Sequence, residues 1–150
     1  MSLGDSFPQE IREEFAGRKI EIGCVFKVLA KFTDPPKEKI FVIVAKDDKS
    51  FSLATVLINT DLNANVNFSL DLKALHIPIE AKGREYLKHD SFVDCTALHE
   101  CKISEANKWM TDDPGCHLGK MVEEDLRKVH MLITTSGTIK PFKKKQFGFM

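Results

Sequence analysis

Net charge, long apolar runs and paired cysteines are all missing from this chain of 150 residues. Its 22 basic residues are matched by 22 acidic ones, so no global field singles out nucleic acid or an acidic substrate, and any basic site has to be local. No apolar run approaches the roughly 20 residues that a membrane helix requires. The opening stretch, MSLGDSFPQEIREEFAG, has no basic segment followed by an apolar one, which is the pattern of a secretory leader. A cytoplasmic protein with no membrane partner is expected. The four cysteines, Cys24, Cys95, Cys101 and Cys116, are few for a secreted scaffold and form no C-x-x-C pair, so free thiols are expected. Internal repeats, a Gly-rich phosphate loop, an HExxH helix and a GxSxG elbow are also absent.

What is present is enough apolar matter, 43% of the residues, for one ordinary core. A single domain over 1–150 is expected, made of an N-terminal helix region over 1–17, a β-rich body with its closing helix over 20–136 and a basic tail over 140–150. Ile11 and Phe15 stand at helical spacing between Pro8 and Ala16, with Asp5 or Ser6 as cap and Gly17 as stop. From Ile22 to Phe32 the period changes to two, with Ile22, Cys24, Phe26, Val28, Ala30 and Phe32 on one face and Lys27 and Lys31 on the other. Pro35 and Pro36 end that strand.

The runs IFVIVA (Ile40 to Ala45) and FSLATVLI (Phe51 to Ile58) are mainly apolar and rich in β-branched residues, as strands covered on both faces are, and the KDDKS turn between them predicts a central hairpin. The Asn-rich stretch after Ile58 reads as a long loop or a frayed edge. Pro78 confines Leu75 to Ile79 to an edge strand, and Phe92 to Leu98 supplies a further strand. Ile103 to Trp109 fits either type. The plainest element is the last helix. Val122, Leu126, Val129, Leu132 and Ile133 share one face, Glu123, Glu124 and Asp125 fill the first turn, and Gly137 stops it. Short strands followed by a helix describe an α+β fold, mainly β with helices, in which a small, bent antiparallel sheet or barrel is capped by a helix.

Three residue groups invite a chemical reading. His89, beside Asp90 in the corner LKHDSFVDCTAL, can exchange a proton near neutral pH; as a residue of a polar turn it equally suits a solvated position. Cys95, His99, Cys101, Cys116 and His117 are zinc-ligand types, but their spacing matches no zinc knuckle and Cys95 suits the core, so no metal is expected. The tail KPFKKKQFGF interleaves Phe142, Phe147 and Phe149 with Lys140, Lys143, Lys144 and Lys145, which suits stacking on bases and pairing with phosphates; the alternative is a solvated end whose phenylalanines dock on the body. Trp109 and Met110 read as core, or else as part of a partner surface.

Over roughly residues 22 to 136 the series GCVFKVLA, KIFVIVA, LATVLINTDLN, LKHDSFVDCTAL and LGKMVEEDLRKVHMLI resembles the MazF/PemK family of toxin ribonucleases. The resemblance implies an SH3-like barrel with a C-terminal helix, a homodimer, and an antitoxin protein that blocks the groove. It also implies cleavage of single-stranded RNA without metal or other cofactor. A basic residue, usually Arg, stands in that family before the strand matched by Lys39 to Ala45, and a hydroxyl residue follows the strand matched by Leu53 to Ile58. Those places hold Lys37 or Lys39, and Thr60. The resemblance makes Lys39 and Thr60 catalytic candidates, His89 joins them on the proton chemistry of its imidazole, and Lys37 with Lys143, Lys144 and Lys145 of the tail are the candidate nucleic-acid contacts. Lysine supplies charge without the planar two-pronged donor of guanidinium, so activity would be weakened, rerouted through His89, or lost. The other reading is a non-catalytic barrel that binds nucleic acid, a peptide or a protein partner.

Overall fold

Six antiparallel strands curl into a half-barrel sheet with four helices around it in the computed structural model, which describes residues 20–30, 35–60 and 70–150. The helix expected over Pro8 to Ala16 and most of the Asn-rich stretch lie outside the described residues. The strands are β1 (Cys24–Ala30), β2 (Lys37–Asp47), β3 (Ser52–Asn59), β4 (His76–Ile79), β5 (Ser91–Lys102) and β6 (His117–Lys120), and the helices are α1 (Leu70–Ala74), α2 (Ile103–Asp112), α3 (Glu123–Thr135) and α4 (Pro141–Gln146). Their order across the sheet is β4-β5-β3-β2-β1-β6. The two apolar runs form the β2–β3 hairpin at the centre, and β4, carrying Pro78 with no backbone N–H to donate, lies at an edge.

Both faces of the sheet are covered, which explains the lack of alternation in β2 and β3. Val25, Val42, Val44, Ala54, Val56, Val93 and Cys95 join a core with Val129 and Ile133 of α3 and with Phe147 and Phe149 of the tail. On the other face Cys24, Phe26, Ile43 and Leu53 pack with Ala106 of α2 and with Cys116. β1 is therefore buried on both sides from Cys24 to Phe26, and its polar alternation begins only at Lys27. Ile22 stands outside the strand and is exposed. Gly23 separates the two at φ +100°, a left-handed conformation suited to glycine; its N–H donates to the Ile43 carbonyl and its own carbonyl accepts from Met121, each at 2.7 Å.

Two elements extend beyond the sequence reading. β5 runs on to Lys102, because a bulge opposite Thr55–Leu57 absorbs the residues around Ala97 and returns the strand to register at His99. The ambiguous segment after it is helix α2, whose Ala106 is fully buried against the sheet. α3 matches its pattern in Val129 and Ile133, while its start differs: Val122 is exposed and Asp125 is buried. The tail is not a free end. α4 is followed by Phe147 and Phe149, both inserted in the α3-side core.

Candidate functional site

Strand parity decides which side chains can act together, since alternate residues of a strand emerge on opposite faces. Phe41 and Ile43 point to the α2 side of the sheet, so Lys39 and Lys37, two and four residues earlier in β2, belong to that side too. Glu38 has the opposite parity and lies 3.7 Å from Lys27. Register sets Lys39 against Val28 and Lys37 against Ala30 in β1. The Lys39 ammonium donates to Asn59 Oδ1 at 3.5 Å, and Thr60, exposed, is the next residue along the chain.

Asn59 in turn faces Phe92 of β5. His89 precedes that strand and is exposed on the turn; its carbonyl accepts from Ser91 Oγ at 2.8 Å. Lys39, Thr60 and His89 thus come from chain segments that meet at one end of the sheet. Asp90 uses Oδ1 to accept the Ala81 N–H at 2.9 Å, and no ion pair joins it to the His89 ring.

Next to the lysines, on the same face, lies a groove of about 590 Å³ between the sheet and α2. Val28, Phe41, Leu98 and Trp109 supply apolar walls, and Thr55, His99, Cys101, Glu105 and Lys108 bring polar atoms. The Phe41 and Trp109 rings are near-parallel, 21° apart with centroids at 6.4 Å, and His99 meets Phe41 edge-on, also at 6.4 Å. Thr55 Oγ1 donates to the His99 carbonyl at 2.8 Å. Burial pushes the His99 imidazole below its ordinary value, against the opposing pull of Asp94, which favours the neutral ring with one donor and one acceptor. Glu100 belongs to the other face. Its carboxylate accepts from Lys143 Nζ at 2.6 Å and from Gln146 Nε2 at 2.9 Å, and the Lys143 bond holds it below the usual carboxylate range.

The cysteine–histidine group is split by the sheet. Cys95 lies in the α3-side core and Cys116 in the α2-side core, with Cys101 against the latter. Burial pushes Cys95 and Cys101 up to about 12 and Cys116 to about 11, which keeps each as the neutral thiol. Among the described residues no three His, Cys, Asp or Glu side chains group in a way that could hold a metal ion. No helix among them is long and apolar enough to cross a membrane.

Of the tail lysines, Lys143 is bound to Glu100, Lys144 donates to the Thr134 carbonyl at 3.0 Å, and Lys145 is exposed. Sequence reasoning did not find the groove. Its walls come from β1, β2, β3, β5 and α2, and the one usable signal was the single tryptophan beside a segment of undecided type. No protein-family model matches the sequence, and no curated protein matches it.

Proposed function

We propose that this chain binds single-stranded RNA along the α2-bearing face and cleaves it at the sheet end that carries Lys39, Thr60 and His89, as a MazF/PemK-like SH3-type barrel would. One observation carries the reading: Lys37 and Lys39 share their strand face with the aromatic-lined groove. Cationic side chains that lead into aromatic surfaces are what a flexible, stacked polyanion requires. In this scheme the 2′-hydroxyl attacks the neighbouring phosphorus and the bond to the 5′-oxygen breaks. His89 takes the 2′ proton, the leaving oxygen is protonated from solvent or from Thr60, and Lys39 offsets charge on the phosphate oxygens. No metal or cofactor enters the scheme, and the partners it implies are a second copy of the chain and an antitoxin protein.

A specific observation favours a second reading, binding without cleavage. Both arginines among the described residues are engaged around α3, Arg84 with Asp125 and Arg127 with Glu123, so neither supplies the family's guanidinium. Incubation of purified protein with 5′-labelled single-stranded RNA separates the two. Cleavage that yields 2′,3′-cyclic phosphate ends, persists in chelator and falls at least tenfold in Lys39→Ala and in His89→Ala supports the nuclease. Binding without any cleavage supports the second reading, and neither binding nor cleavage rejects both.

A further inference from the structure

We propose that the groove between α2 and the sheet is a pocket for one unstacked nucleobase of the RNA, with the base against the Trp109 indole and its phosphate at Lys37 and Lys39. This rests on the RNA-binding reading above and specifies which part of the chain receives which part of the ligand.

The groove's volume, about 590 Å³, falls within the range of ~300–1,000 Å³ found for small-ligand sites. Its walls and its rim differ in chemistry. Trp109, Phe41 and Val28 offer flat or apolar surface, which suits the π-face of any base. Around them stand the carboxylate of Glu105, an acceptor, and the ammonium of Lys108, a donor, both exposed. A hydrocarbon would leave these groups unmatched, and a small anion would leave the aromatic walls unused. A heteroaromatic ring edged with both donors and acceptors satisfies both.

Register supplies an independent observation. Val28 and Ala30 line the groove, and their cross-strand partners are Lys39 and Lys37. Cross-strand partners share a face with Cβ atoms about 4.5–5.5 Å apart. Lys39 and Lys37 therefore stand beside two lining residues on the groove side of the sheet, which puts cationic side chains next to the aromatic walls. A nucleotide fits this pairing of aromatic slot and flanking cations better than a free base does.

Trp109 is the only tryptophan of the chain, so its fluorescence reports on the pocket alone. The full protein is titrated with the four nucleoside 5′-monophosphates and their nucleosides. Saturable quenching by at least one nucleotide is expected, at least tenfold weaker for the matching nucleoside, for Lys37→Ala/Lys39→Ala and for Glu105→Gln/Lys108→Ala. The rim pair and the lysines are surface residues, and an unchanged circular dichroism spectrum shows that each variant is folded. Absence of quenching by all four nucleotides overturns the proposal, as does quenching that the rim variant leaves unaltered. Nucleotide quenching without RNA cleavage leaves the pocket standing and removes only the nuclease; cleavage without quenching removes only the pocket.

Discussion

Arg84 holds Asp125 by two parallel hydrogen bonds, Nε to Oδ2 at 2.9 Å and Nη2 to Oδ1 at 3.0 Å, and spends Nη1 on the Glu80 carbonyl at 2.9 Å. The pair fastens the β4–β5 connection to the first turn of α3. It also accounts for a buried acid in a helix whose other first-turn acids are exposed.

Arg84→Met strands the Asp125 carboxylate, whose side chain is only 6% exposed. A loss of about 3 kcal/mol is expected, measured by urea unfolding. Asp125→Leu added to it should restore a substantial part, because the uncompensated charge is gone. A double variant no more stable than Arg84→Met would show that packing rather than charge sets the cost.

Gly23→Ala is the second test. At φ +100° a Cβ would sit 3.1 Å from Leu126 Cδ1 and 3.3 Å from the Met121 carbonyl oxygen. Left-handed backbone costs an L-residue roughly 1–2 kcal/mol, and the contact with α3 adds to it. Thermal unfolding should shift down by several degrees, whereas Gly137→Ala, with nothing within 4 Å of the added Cβ, should leave it almost unmoved.

The His99 ring carries a pH dependence with a definite sign. Its folded value lies below its ordinary value of 6.5 because burial disfavours the charged ring. The unfolded chain therefore takes up a proton first as pH falls, and stability declines from about 6.5 downward until the folded value is reached. Above 6.5 this contribution is constant. Denaturant midpoints at pH 7.5 and 5.5 should differ less in His99→Gln than in the parent; an equal difference would exclude His99 as a source.

Lys39→Arg tests the proposed cleavage scheme at the position where the MazF/PemK family usually carries Arg. If the cleavage scheme holds, a guanidinium offers the two-pronged contact to phosphate oxygens that an ammonium lacks, and RNA cleavage should rise about tenfold or more. A rate equal to or below that of the parent chain would argue that Lys39 serves only to position β2 through Asn59.

The central hairpin, the edge position of β4 and the α3 stripe were legible because each rests on local periodicity or on a residue with a fixed backbone constraint, such as Pro78. The type of α2 was not. Ile103, Ala106 and Trp109–Met110 satisfy helical spacing, but nothing local distinguishes this from a strand continuing β5, and the choice was made by the buried seat that Ala106 finds on the sheet. The extra length of β5 was hidden for a related reason, since a bulge breaks period two.

The candidate site divides along the same line. Lys39 and Thr60 were singled out by the resemblance to the MazF/PemK family, and their proximity follows from hairpin pairing, a short-range relationship. The groove is different in kind. Trp109, His99, Phe41 and Val28 come from four separated segments, and only the curl of the sheet with α2 folded back over it brings them together.

By itself the sequence determined that β2 and β3 are strands covered on both sides, where the amphipathic helix lies and that no single charge dominates, because burial pattern and composition are written residue by residue. Tertiary structure alone decided which face each lysine shares with which ring, that the cysteines lie on opposite sides of the sheet, and that the basic tail is docked. The reason is that side-chain direction depends on register and bulges, and these are set by pairing between residues far apart in the chain.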